Sequence, residues 1–218
     1  MTARRAAVAA VAGVAFATLA GLVAAGAFTG VDQWGVDHLM PSAAFHHAQP
    51  GLLEAVVPLL HQRFDSPLAV AADIVTLPAS ALVSLAIVAA ASRVAGIGLL
   101  AAWVAGSAVE LLCKHVLVRP PLYDGTFHVA AFDSSFPSGH AFRAVLVAYA
   151  VTRARPRVRY IAVAWVIVSV ALLQLAGWHT PTDLAGGVVL GALVSGGLGW
   201  RGGRAAGALR ARGLPARP

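Results

Sequence analysis

Three short stretches of this chain hold side chains able to move a proton or bind an anion: Glu110–Pro121 (ELLCKHVLVRPP), Ser134–Phe142 (SSFPSGHAF) and Gly177–Asp183 (GWHTPTD). In the second, Pro137 suits the first turn of a helix, and Ser134, Ser135 or Ser138 can cap it. Capping does not account for Gly139 followed by His140. Free N–H groups at a helix start, with the helix dipole, favour an anion, and glycine lets that anion approach the backbone. A histidine in the same turn can donate or accept a proton. Arg143 falls on the same helical face, about a turn deeper. In the third stretch, Thr180 as N-cap, Pro181 at N1 and Asp183 at N3 form a capping box. That leaves His179 unexplained. Placed just before the helix, its ring is within reach of Asp183, which would fix its tautomer and leave a nucleophilic imidazole. In the first stretch, Lys114 and Arg119 are either interfacial anchors or anion ligands. Glu110 lies one helical turn before Lys114 and can pair with it, while His115 faces away. Cations, a helix start, a proton-transfer histidine and an oriented imidazole together describe an anion site with a nucleophile beside it.

The elements that must position these residues are membrane helices. Of 218 residues, 59% are hydrophobic and only 11% charged, against roughly a quarter charged in a soluble domain. Six spans can be drawn, about Ala6–Phe28, Leu68–Ala91, Val94–Val118, Gly139–Thr152, Tyr160–Trp178 and Leu184–Trp200. The fourth is short of the ~20 residues a span needs, and the sixth is rich in glycine. The fold class is therefore all-α, a polytopic helical bundle forming one membrane domain over 1–218. It comprises a first transmembrane helix (1–29), an outer segment (30–67), a helical core (68–200) and a basic tail (201–218). Within the outer segment, Gly51–Phe64 (GLLEAVVPLLHQRF) has apolar residues at helical spacing and suits an interfacial helix.

The net charge of +7 comes almost wholly from arginine, with fifteen Arg to one Lys. Arg4, Arg5, Arg93, Arg153, Arg155, Arg157, Arg159, Arg201, Arg204, Arg210, Arg212 and Arg217 all fall on one side of a six-span layout. The positive-inside rule makes that side, and both termini, cytoplasmic. The arginines are scattered through short loops, which argues against a nucleic-acid partner. The first span reads as an uncleaved anchor rather than a signal peptide, because its apolar stretch is long. Cys113 is the only cysteine, so neither an intrachain disulfide nor a cysteine metal cluster is expected. Adjacent His46 and His47 do not converge on one metal ion, and His38 and His61 complete a histidine-rich outer segment. Gly187, Gly191 and Ser195 are four apart and form a small-residue stripe for close helix packing. Asp73 reads as a helix-packing residue.

With these residues in place, the chain resembles the type-2 phosphatidic acid phosphatases over Val94 to Trp200. That family's signature is K-x6-R-P, P-S-G-H and S-R-x5-H-x3-D. Pro137–His140 matches the second motif in full, and His179 with Asp183 matches the end of the third. Two departures stand out. Arg119-Pro120 comes two residues early after Lys114, and Leu172-Leu173 stands where Ser-Arg is expected. The resemblance implies a phosphatase that needs neither metal nor cofactor and acts on a lipid phosphate or pyrophosphate. In it His179 attacks phosphorus with the help of Asp183, and His140 handles the proton. Lys114, Arg119, Ser138, Gly139 and Arg143 would bind the phosphate, Arg143 replacing the missing arginine. The implied setting is a bacterial cytoplasmic membrane, with the site on the extracytoplasmic face. Two other readings stand beside this one. A non-catalytic relative binding phosphorylated lipid is favoured by Leu172-Leu173, and a small transporter is suggested by Asp73, Glu110 and Arg143. No feature of the sequence sets an oligomeric state.

Overall fold

A computed structural model describes residues 2–40 and 67–211. The expected interfacial helix Gly51–Phe64, together with His46, His47 and His61, lies outside them. Among the described residues, eight α-helices run in chain order: α1 (Thr2–Ala24), α2 (Thr29–Leu39), α3 (Pro67–Thr76), α4 (Ala81–Ala95), α5 (Gly98–Val116), α6 (Gly139–Ala154), α7 (Arg159–Leu175) and α8 (Pro181–Ala211). Between α5 and α6 a small hairpin pairs β1 (Tyr123–Asp124) with β2 (Phe127–His128), in the register Tyr123 to His128 and Asp124 to Phe127. The bundle is otherwise helical, as its composition implies.

α6 forms the centre. Its Ala141, Phe142, Ala144, Leu146 and Ala150 are fully buried, and it packs most extensively on α8, then on α4 and α7. Close approach to α8 depends on the small-residue stripe. A Cβ on Gly187 would lie 2.8 Å from that of Ala141, and one on Gly191 would lie 2.8 Å from the Phe142 carbonyl oxygen. Ser195 is buried on the same stripe. On the other side, the Phe142 ring fills the space at Gly106 of α5. Large apolar side chains point outward instead, among them Leu82, Leu111, Leu112, Ile161, Val163 and Ile167. Small residues at the contact between α6 and α8, with large apolar ones on the outer faces, is the pattern of helices packed in lipid.

Of the six expected spans, three are helices long and apolar enough to cross a membrane: Pro67–Ala95, Gly98–Val116 and Pro156–Leu175. A fourth is obtained if α1 and α2, bent by 76°, count as one broken span. α6 has only 16 residues. Sheathed by its neighbours, α6 presents little surface to lipid, so its length is set by its packing. The span expected over Leu68–Ala91 is built of α3 and α4, joined through a 3-10 turn at Leu77–Ala79. Pro78 cannot donate to a helical ladder, which breaks there. The break frees carbonyls for other partners: Val75 O accepts from Trp165 Nε1 at 2.8 Å, and Ala79 O from Arg143 Nε at 3.0 Å.

α2 and the hairpin roof one end of the bundle. Val36 and Met40 pack with Leu122, Val129 and Phe132. Gln33 Oε1 accepts from Tyr123 N at 3.0 Å, and Gln33 Nε2 donates to Tyr123 O at 2.7 Å. His38 stays exposed, stacked on Trp34.

Candidate functional site

The start of α6 is built by Pro137 and Ser138. Pro137 follows a cis peptide bond and lies just ahead of the cap, outside the first turn where the sequence suggested it. Of the three candidate serines, Ser138 is the cap, its Oγ accepting from Ala141 N at 3.2 Å. Ser135 turns instead to Asp183, donating to Oδ2 at 2.6 Å, and Ser134 is exposed. Gly139 and His140 occupy the first turn, where N–H groups have no acceptor within the helix.

Two cations meet one carboxylate beside this helix start. Glu110 Oε1 accepts from Lys114 Nζ at 2.9 Å, the pair expected from their spacing on α5. Glu110 Oε2 accepts from Arg143 Nη1 at 2.7 Å, and the Ala79 carbonyl steadies the same guanidinium. A Cβ on Gly139 would collide with Glu110 Oε1 and lie 2.5 Å from Arg143 Nη2. Glycine is thus required by close approach, and what approaches is the Glu110 carboxylate between its two cations.

The third stretch folds as its pattern predicts. Thr180 N donates to Asp183 Oδ2 at 3.1 Å, and Asp183 N lies 3.4 Å from Thr180 Oγ1. These reciprocal contacts start α8, with His179 one residue before the cap. His179 Nδ1 stands 3.6 Å from Asp183 Oδ2. This exceeds a hydrogen bond, but catalytic hydrogen bonds often tighten only once substrate is in place. The other Asp183 oxygen, Oδ1, accepts from Arg119 Nη2.

Arg119 is where the structure departs most from the expectation of a phosphate ligand. Its guanidinium is buried and committed to the start of α8. Nη1 donates to Asp32 Oδ2 at 2.9 Å and Thr180 Oγ1 at 2.8 Å, while Nη2 donates to Asp183 and lies 3.3 Å from Thr182 Oγ1. Asp32, from α2, completes the cluster. It accepts from Thr182 N at 3.0 Å and Thr182 Oγ1 at 2.6 Å, capping α8 from another helix. Asp32 was not among the sequence candidates, because its partners lie 87 and 150 residues away. The only local signal was an acidic residue in the first turn of an apolar segment.

The three stretches do come together. Ser138 N donates to Asp183 O at 2.9 Å, Arg143 joins α6 to Glu110, and the rings of His140 and Trp178 lie 6.0 Å apart. Leu173, at the position where an arginine was expected, is fully buried with Ala141 and Leu184. Arg143 points to Glu110 and the Leu77–Ala79 turn, so it reaches the helix start without entering the space around Leu173. Lys114 is partly exposed, and Asp73 is half-buried on α3. Among the described residues, no three His, Cys, Asp or Glu side chains are grouped to hold a metal ion.

The family model described as PAP2 superfamily matches residues 96–201 of the chain. No curated protein and no solved structure matches it.

Proposed function

From its membership of the PAP2 superfamily over residues 96–201, we propose that this chain is a metal-independent lipid phosphatase working through a phosphohistidine. Membership supports a phosphatase-type activity on phosphate esters. The apolar outer faces of the helices support a lipid substrate, whose acyl or prenyl chains would stay in the bilayer while the phosphate reaches the site. The observation that carries the mechanism is the placing of His179 and Asp183 against the start of α6, with His140, Lys114 and Arg143 around it.

In this mechanism Asp183 orients His179 through Nδ1–H, which leaves Nε2 to attack phosphorus. The Nε2–P bond forms as the P–O bond to the leaving group breaks, and His140 gives that oxygen its proton. His140 then takes a proton from water, whose oxygen attacks phosphorus and breaks the N–P bond, releasing phosphate and restoring neutral His179. Lys114, Arg143 and the N–H groups of Gly139 and His140 stabilise charge on the phosphoryl oxygens. The Ser138 hydroxyl adds a donor, since its oxygen accepts from Ala141 while its proton is unused by that bond. Arg119 acts as a positioning residue in this scheme: held by Asp32, it fixes the carboxylate that orients His179. The one-sided distribution of arginine supports cytoplasmic termini and an extracytoplasmic site in a bacterial membrane.

A second reading, a non-catalytic binder of phosphorylated lipid, draws on Leu173, which packs with Ala141 and Leu184 where the family's pattern has an arginine. Phosphate release in detergent micelles with EDTA decides between them. Phosphatidate, phosphatidylglycerol phosphate and polyprenyl phosphates and pyrophosphates would be offered to wild type and His179→Ala. Release by wild type alone is expected; no release from any substrate by well-folded wild type would overturn the phosphatase and move the weight to the binding reading.

A further inference from the structure

The Glu110 carboxylate occupies the place prepared for an anion. It lies against Gly139 at the start of α6, and each of its oxygens is bonded to one of the two cations that would receive a phosphoryl group. A phosphoryl oxygen entering this site meets a carboxylate already at the same donors. The residue is itself buried, on the side of α5 that faces α6. Nothing in the pairing of residues four apart on α5 requires this position. An exposed Glu110–Lys114 pair would have satisfied the helix equally well.

We propose that Glu110 is a specificity-determining charge filter: its carboxylate holds the anion subsite against singly charged phosphodiester headgroups and yields to a terminal phosphate. The proposal rests on the lipid-phosphatase reading. A phosphate monoester or the end of a diphosphate carries a charge of about −1.5 to −2 at neutral pH, whereas a phosphodiester carries one. Exchanging the carboxylate for a monoanion replaces like with like, so Lys114 and Arg143 gain nothing. Exchange for a dianion improves the Coulomb attraction to both, in a partly buried site where screening is weak. The filter has a physical purpose. A cationic site at a bilayer surface is surrounded by anionic phosphodiester lipids at very high local concentration, and without a competitor it would fill with them.

The test is equilibrium binding of two soluble headgroup probes, dihexanoyl phosphatidate and dihexanoyl phosphatidylglycerol, to the full-length protein in neutral detergent. Binding would be measured in the His179→Ala background, which on the phosphatase reading leaves phosphatidate intact, with wild-type Glu110, Glu110→Gln and Glu110→Asp compared. Phosphate release from phosphatidate would be measured on the same three forms with His179 in place. The form with wild-type Glu110 should prefer phosphatidate by at least about tenfold, the effect of ~1.4 kcal/mol. In Glu110→Gln, with the competing charge gone, the affinity for both probes should rise, that for phosphatidylglycerol by at least about tenfold, so that the phosphodiester now fills the site. Glu110→Asp keeps the charge but withdraws it from Gly139, and should also gain phosphodiester affinity; it decides the matter if Glu110→Gln does not fold. Unchanged phosphodiester affinity overturns the filter, as does equal loss of both probes, which would make Glu110 only a brace for the cations. Either of those results beside intact wild-type phosphate release leaves the phosphatase reading standing. A form with wild-type Glu110 that neither binds phosphatidate nor, with His179 in place, releases phosphate overturns both.

Discussion

The spacing of α6 and α8 sets the alignment of His140 with His179 and Asp183, and Gly187 is the point at which it can be perturbed by one carbon atom. In Gly187→Ala the new Cβ would lie 2.8 Å from the Cβ of Ala141 and 3.1 Å from Phe142 N, and would run into the Ser138 carbonyl. Carbon pairs rest at about 3.5–4.0 Å, so the helices must separate by roughly 1 Å. Overpacking of this kind costs about 1–3 kcal/mol in stability. The larger effect is on alignment, because a misplacement of ~1 Å at a catalytic group can lower the rate about 100-fold. Ser138 N donates to Asp183 O across this same contact, so the shift falls on the acid proposed to orient His179. The assay is phosphate release with kcat and KM resolved, plus thermal unfolding in detergent. The control is Gly196→Ala on the same helix, where an added Cβ meets nothing within 4 Å. A kcat lowered about 100-fold in Gly187→Ala and unchanged in Gly196→Ala is expected. Wild-type kcat in Gly187→Ala would refute the claim that this contact sets the geometry.

Other substitutions separate the parts of the site. Asp32→Asn removes one charge-assisted bond to Arg119, worth about 1.5–3 kcal/mol, while keeping an acceptor for Thr182 N. The expected result is a kcat lowered about tenfold to a hundredfold with KM within about twofold; an unchanged kcat would show that α2 only roofs the bundle. Leu173→Arg places a charge in the apolar cluster of Ala141 and Leu184, at a cost of several kcal/mol. It should lower the melting temperature in detergent without raising activity. A variant that is both stable and faster would show that the expected arginine site is still open.

Local patterns carried far in this sequence. The capping box Thr180–Asp183, the cap at Ser138, the Glu110–Lys114 pair and the Gly187–Gly191–Ser195 stripe all join residues a few positions apart, and each appears in the fold. The convergence of the three polar stretches was also legible, because successive helices return the chain to the same end of a bundle. Arg119 was not. Its type and its place after Lys114 suggested a phosphate ligand, but its partners Asp32, Thr180, Thr182 and Asp183 come from distant segments, and no spacing rule encodes such a pairing. Asp32 escaped for the same reason, in a segment whose histidines drew more attention. Pro78 did mark a helix break, but the use made of it, a carbonyl for Arg143, depends on packing between α6 and the Leu77–Ala79 turn. Leu173 shows the same limit: sequence revealed a missing arginine, and only packing shows apolar contacts in its place.

The central claim is that His179 becomes covalently phosphorylated. Detergent-solubilised protein would be mixed with phosphatidate labelled with radioactive phosphorus, quenched in alkali within milliseconds to seconds, and compared with His179→Ala. The account predicts an acid-labile, alkali-stable label on wild type that appears before free phosphate and is absent from His179→Ala. Phosphate release by wild type with no trapped label, or by His179→Ala at an undiminished rate, would contradict it.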